Sequence, residues 1–161
     1  MALSPYLARL RAKVGHELLL APSVAVLARD DEGRVLMVRS RETGLWQTIG
    51  GVLELDESPQ EAARREAYEE AGVTVELRGI MAVLAGPAFR VVYPNGDQMA
   101  YVPTIFDAVV TGGEPRADGE ETSAVAWFTL AELARAQTDE FTRALLAAVI
   151  PPGGIEPPLR A

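Results

Sequence analysis

Cysteine is absent from this chain. That excludes disulfides, thiol nucleophiles and cysteine-ligated zinc. Histidine is nearly absent, with His16 the only one. A Ser-His-Asp triad or an H-E-x-x-H metal site therefore has little material to work with. His16 itself reads as a surface or helix-end residue, since nothing near it in sequence looks like a site. Long apolar runs are missing as well. Leu18-Leu19-Leu20 falls far short of the roughly 20 apolar residues of a membrane-spanning helix. No stretch near the N-terminus has the make-up of a signal segment, so a cytoplasmic protein is expected. Positive charge is in the minority: 15 Lys and Arg stand against 23 Asp and Glu, for a net charge of −8. Neither a nucleic-acid polymer nor an anionic membrane is an expected partner.

What is present suits one globular domain. A chain of 161 residues, 48% hydrophobic and 24% charged, can bury a proper core. Residues 1–150 read as a single domain, opened by a helix at about 5–15. Residues 151–161 carry four prolines and two glycines and read as an irregular tail. Between these ends the elements alternate. Tyr6–Val14 has Leu7, Leu10 and Val14 at helical spacing. Leu18–Arg29 is apolar and β-branched but broken by Pro22. Asp30-Asp31-Glu32-Gly33 is a turn, and Arg34–Arg39 alternates as the returning strand. Strands are predicted over Val75–Leu84, Phe89–Tyr93, Met99–Val110 and Ala124–Thr129. Pro94-Asn95-Gly96-Asp97 is a hairpin turn with Asn-Gly at its centre. Gly112–Gly119 is a loop, Leu130–Ala134 starts a helix, and Phe141–Val149 is a last amphipathic helix. Strands with few helices suggest a mixed sheet between helical layers.

The most informative stretch is Gly51–Val73, GVLELDESPQEAARREAYEEAGV. Ser58 at N-cap, Pro59 at N1 and Glu61 at N3 form a capping box. Gly72 stands where a left-handed residue ends a helix. Within that helix Glu66, Glu69 and Glu70 share one face, at spacing i, i+3, i+4. Ala63, Ala67 and Ala71 repeat on the opposite side, small enough to let the helix lie close to a sheet. Like charges on one turn repel by about 0.2–0.5 kcal/mol per pair. A hard divalent cation removes that penalty, because Mg²⁺ and Mn²⁺ prefer carboxylate oxygens. A solvated acidic surface is the alternative reading of the helix alone.

The flanking residues favour the metal. The stretch resembles the Nudix hydrolase signature, G-x5-E-x7-R-E-U-x-E-E-x-G-U, with U a bulky aliphatic residue. Gly51, Glu57, Arg65-Glu66, Glu69-Glu70, Gly72 and Val73 match it, and Ala67 is the one departure. The surrounding pattern is Nudix-like from about Val24 to Leu133. The resemblance implies an α/β/α sandwich with a mixed sheet, the box forming a loop–helix–loop. It implies Mg²⁺ or Mn²⁺ held by Glu66, Glu69, Glu70 and the carbonyl of Gly50. One of these acids would orient or deprotonate the attacking water, which gives Glu66 and Glu69 catalytic roles. Gly51, Glu57, Arg65 and Gly72 would be structural, with Glu57 and Arg65 an ion pair tying loop to helix. A further ligand or base is implied at Glu121, six residues before Trp127, with Glu120 its close competitor.

The implied substrate is a small nucleotide: a nucleoside diphosphate linked to another moiety. Arg39 and Arg41 flank the strand before the box and are candidates to meet phosphate oxygens. Trp46 reads as packing at the sheet edge. Ile49 stands where many family members have proline. Asp97 and Tyr101 are candidate substrate contacts at the hairpin. Pro87 lies fifteen residues past Gly72, an offset seen in members that cleave ADP-ribose. ADP-ribose or a nucleotide sugar therefore ranks ahead of a modified nucleoside triphosphate. A silent nucleotide-binding module is the alternative, though such domains usually lose the box glutamates kept here. A homodimer is compatible with the Leu7, Leu10 and Val14 face.

Overall fold

The computed structural model describes residues 4–150. The helices are α1 (Pro5–Val14), α2 (Pro59–Ala71), α3 (Leu130–Leu133) and α4 (Glu140–Val149). The strands are β1 (Leu19–Arg29), β2 (Val35–Ser40), β3 (Trp46–Val52), β4 (Val73–Val83), β5 (Arg90–Val92), β6 (Gln98–Gly113) and β7 (Thr122–Phe128). They form one sheet in the order β4-β6-β1-β3-β2-β7, with β5 pairing β6 outside that path. β1 and β6 run parallel, and the other pairs are antiparallel. Among the described residues no helix is long and apolar enough to cross a membrane.

The sheet is covered on both faces, which makes the mixed α/β/α sandwich. α2 lays Ala62, Ala63, Ala67 and Ala71 on one face, against Val24, Val26, Ala28, Leu36, Val38 and Phe106. α1, α3 and α4 bring Leu7, Leu133, Leu145, Leu146 and Val149 to the other, against Ala25, Leu27, Val35, Met37 and Ile105. Strands between two covered faces read as continuous apolar runs. Val35–Val38 is accordingly buried on both sides, and the alternation expected of the returning strand is not found. β2 also does not lie against β1 along its length. One pair, Arg29↔Val35, closes the turn, and β3 then separates the two.

Pro22 does not break β1. It sits opposite Val102 of β6, and its carbonyl accepts from Leu53 N at 3.2 Å. The strand passes through because its remaining ladder positions are filled on both sides. The predicted strand at Phe89 is instead a 3₁₀ turn, Pro87–Phe89, which shortens β5 to Arg90–Val92. The Asn95-Gly96 turn forms, with Tyr93 N donating to Asp97 O at 2.9 Å. The tail 151–161 lies outside the described residues.

One ion pair staples β1 to β6. Arg29 Nε donates to Asp107 Oδ1 at 2.8 Å and Nη2 to Oδ2 at 2.6 Å. Asp107 is 3% exposed. Asp107→Ala removes charge-assisted bonds worth about 1.5–3 kcal/mol each and strands a guanidinium. A lower urea midpoint with an unchanged slope is expected. An unchanged midpoint would show that the pair contributes nothing to stability.

Candidate active site

α2 starts and stops where its local chemistry dictates. Ser58 Oγ accepts from Glu61 N at 3.3 Å, and Glu61 Oε2 accepts from Ser58 N at 2.9 Å. Gly72 closes the helix in the left-handed region at φ 69° and leads directly into β4, so the loop after the helix is reduced to that residue. The four buried alanines press α2 onto the sheet. Ala67 takes part fully, as a small side chain suits so close an approach. The acids are not opposite the alanines: Glu66 is buried with them, and Glu70, three residues after Ala67, reaches the end of β3 at Gly50.

Glu54, Glu66, Glu69, Glu70, Asp118 and Glu121 line one cavity of about 170 Å³, together with the backbone of Gly50 and Gly51. Glu70 Oε2 accepts from Gly50 N at 3.0 Å. Glu66 fills the space that a side chain on residue 51 would need. A Cβ built at Gly51 would overlap its carboxylate, 2.6 Å from Cδ. A Cβ at Gly50 would run into the Val24 carbonyl and stand 3.0 Å from Ala25 Cα. The two glycines thus let strand and acids meet.

Among the described residues Arg65 is the one cation lining the cavity. Its Nε donates to Glu57 Oε1 at 2.8 Å and Nη2 to Glu57 Oε2 at 2.9 Å. Nη1 donates to Glu66 Oε1 at 2.7 Å and Glu69 Oε2 at 3.1 Å. Nη2 also reaches Val52 O at 3.2 Å, tying the loop to the helix. Hydrogen bonding to Arg65 holds Glu57 below the usual carboxylate range. Burial raises Glu66 despite Arg65 beside it. Burial, and then the charge of Glu66, push Glu70 well above its ordinary value. Glu121 adds to both upward shifts. These acids therefore form an under-compensated negative cluster.

Of the two competitors in the loop before β7, Glu121 is half-buried and lines the cavity, whereas Glu120 is exposed and does not. Asp118 shapes the turn that carries both. Its Oδ1 accepts from the amides of Glu120, Glu121 and Thr122 at 2.8, 3.0 and 2.9 Å. Burial works to raise Asp118, but those amides prevail and hold its carboxyl low. Thr122 Oγ1 then donates to Glu70 O at 3.1 Å, locking the loop to the end of α2. Sequence reasoning did not single out Asp118. An Asp followed by Gly and a polar run is an Asx-turn signal, and it was legible.

Arg39 and Arg41 are not among the cavity-lining residues. Arg39 Nε donates to Gly44 O at 2.7 Å, and Arg41 Nη1 donates to Gly119 O. Trp46 packs edge-on against Phe128, with centroids 4.9 Å apart. Ile49 is fully buried in the sheet core. His16 lies exposed at the end of α1, with Nδ1 2.7 Å from Asp97 Oδ1.

The donor set fits a hard divalent cation: it is all oxygen, mostly carboxylate, and under-neutralised. Among the described residues, though, no three Asp, Glu or His side chains already converge on a point that could hold a metal ion. Arg65 occupies oxygens of Glu66 and Glu69 instead.

The sequence profile of the NUDIX domain matches residues 19–149. The chain belongs to the Nudix family of pyrophosphohydrolases. It is 34% identical over 127 residues to a MutT-like protein of Streptomyces ambofaciens, spanning 79% of this chain and 75% of that protein. It is 31% identical over 102 residues to a Bacillus subtilis (strain 168) protein provisionally named an 8-oxo-dGTP diphosphatase, spanning 63% of this chain and 62% of that one. Among solved structures, a MutT NUDIX hydrolase from Burkholderia pseudomallei superposes with TM-score 0.67 at 26% identity, covering 81% of this chain and 98% of the other. The Nudix box of this chain is α2 with its flanks, and α1 precedes the matched region.

Proposed function

We propose that this chain hydrolyses a phosphoanhydride bond in a nucleoside diphosphate linked to another moiety, with ADP-ribose or a nucleotide sugar favoured. The observation that carries the reading is the convergence of box and loop acids on one cavity whose negative charge Arg65 alone does not balance. Glu66, Glu69, Glu70 and the Gly50 carbonyl would hold Mg²⁺ or Mn²⁺. A bound cation there screens phosphate charge and makes a water more acidic. Glu69, with 55% of its side chain exposed, and Glu121, which lines the same cavity, would orient that water. Arg65 acts as a positioning residue: it fixes the box loop through Glu57 and Val52. Residues 1–150 act as one domain in this reading, with a small nucleotide as partner.

Hydrolysis of a modified nucleoside triphosphate is the second reading, supported by the name of the Bacillus subtilis relative. A binding-only module is disfavoured because every box glutamate is retained.

The test is a nucleotide panel with Mg²⁺ or Mn²⁺, product identification and a parallel melting curve. Turnover of one class, abolished by EDTA, is expected. The cation should also raise Tm, since a ligand at 100 times its Kd stabilises by about 2.7 kcal/mol. A cation-induced rise in Tm with no turnover on any class would favour the binding module. No response to either cation would sink the metal site.

A further inference from the structure

We propose that Thr122 and Arg41 are positioning residues, which clamp the loop before β7 from two sides and hold Glu121 at the acidic cavity. The proposal rests on the hydrolase reading above for the part that Glu121 plays. It also gives Arg41 a task other than meeting phosphate. A clamp is needed because the cavity repels its own walls. Asp118 and Glu121 line it together with Glu66, Glu69 and Glu70. Carboxylates gathered at one site push each other apart. The loop side moves outward unless something fixes it to the box helix.

Thr122 makes that connection, and a β-bulge aims it. β2 and β7 keep register up to Arg39↔Ala124, and the next pair is Ser40↔Thr122, which leaves Ser123 as the extra residue. Val125 and Trp127 pack on the α2 side of the sheet, and Phe128 packs on the other. Unbroken alternation would send Thr122 to the side of Phe128. The one-residue slip reverses it. Thr122 is 2% exposed, and its Oγ1 lies 3.1 Å from Glu70 O. Glu70 and Ala71 carry two of the last carbonyls of α2, which lack intrahelical donors. The Thr122 hydroxyl donates to the first, and Arg116 N donates to the second at 2.9 Å. Asp118 Oδ1 is equally near the hydroxyl, at 3.1 Å, but it already accepts three amides. Asp118 N in turn donates to Thr122 Oγ1 at 3.1 Å. One hydroxyl therefore joins the box helix to the turn that carries Glu121.

Arg41 holds the other side. It follows the last ladder pair, and its N donates to Glu121 O at 2.9 Å. Its Nη1 donates to Gly119 O. Backbone and side chain of one residue thus grip the loop on both sides of Glu120. The Arg41 side chain is exposed, and neither Arg41 nor Thr122 lines the cavity. Each therefore acts through Glu121, the acid between their contacts. A displacement near 1 Å can cost about 100-fold in rate.

The test places Thr122→Val, Thr122→Ser and Arg41→Ala in the full chain, with and without Glu121→Gln. Mn²⁺ affinity is read by calorimetry without nucleotide, and kcat and KM on a nucleotide that the panel shows to be turned over. Thr122→Val should lower both Mn²⁺ affinity and kcat about tenfold, with KM within about twofold. Arg41→Ala keeps its backbone bond and should cost about threefold. Thr122→Ser keeps the hydroxyl and should recover most of the loss. Beside Glu121→Gln, the same substitutions should change each quantity by less than about twofold, because the carboxylate they place is gone. Equal losses in both backgrounds would make the two residues merely structural and overturn the proposal, as would no loss in either. A raised KM with unchanged kcat in Arg41→Ala would return Arg41 to phosphate binding. Arg41 is exposed, so its variant decides the matter even where Thr122→Val does not fold. Mn²⁺ losses that vanish beside Glu121→Gln, without turnover of any nucleotide, would keep the clamp and remove the hydrolase reading. Turnover without that pattern would do the reverse.

Discussion

Glu70→Gln is expected to silence the enzyme while making the metal-free protein harder to melt. Its carboxyl is buried and raised well above its ordinary value, first by burial and then by Glu66. A raised folded-state value means that the folded chain holds the proton more tightly than the unfolded one. Metal-free stability is then fullest below the ordinary glutamate value, about 4.3. It declines as pH rises through the shifted value. At neutral pH the ionised group therefore works against the fold. Glutamine removes that charge, keeps an oxygen for Gly50 N, and retains the shape. Tm of the EDTA-treated variant should exceed wild type at pH 8, and the difference should vanish near pH 4. Activity should move the other way. Loss of an outer-sphere partner already reduces metal affinity or activity by about 10–100-fold, so losing Glu70, proposed above as a direct ligand, should cost at least about 100-fold. A variant that keeps wild-type turnover would remove Glu70 from the site. One that melts earlier at pH 8 would overturn the electrostatic account.

The second large effect separates two adjacent glycines. Gly51→Ala places a methyl where the Glu66 carboxylate lies, at the free end of a flexible side chain. The carboxylate can swing aside, so the fold survives but the acid leaves its position. A displacement near 1 Å can cost about 100-fold in rate, and kcat should fall by that order with little change in Tm. Gly50→Ala instead drives a methyl into the backbone of Val24 and Ala25, which cannot yield. Overpacking of this kind costs about 1–3 kcal/mol, so its Tm should drop. Kinetics and melting curves on the pair decide the matter. Full activity in Gly51→Ala would mean that the Glu66 position is not critical.

Features written in a few adjacent letters were legible in the sequence. Ser58, Pro59, Glu61 and Gly72 mark both ends of α2 because capping chemistry is local. Glu66, Glu69 and Glu70 share a face because helical spacing alone requires it. What depends on distant partners was not legible. β2 alternates on paper, but whether its second face is covered depends on α2. Pro22 looks like a break unless the strands on both sides are known. Glu121 stands only narrowly ahead of Glu120 as letters, and the folded loop sets them apart, Glu121 half-buried at the cavity and Glu120 exposed. Nothing in the letters around Arg11 marks it as buried. Its burial follows from α1 docking on a hairpin more than eighty residues away.

The parallel pairing of β1 with β6 sets a timetable for biosynthesis. Arg29 and Asp107 are 78 residues apart, and their bridge cannot close until both have been made. At roughly 5–20 residues per second, a ribosome needs about 4–16 s to cover that distance. Throughout that interval Val24–Ala28, buried on both faces in the finished sheet, has no β6 beside it. β3 arrives sooner and covers one edge. The other edge waits as an open apolar template of the kind that chaperones shield. A strand enclosed on both faces in the finished sheet is thus one in need of protection while the protein is being made.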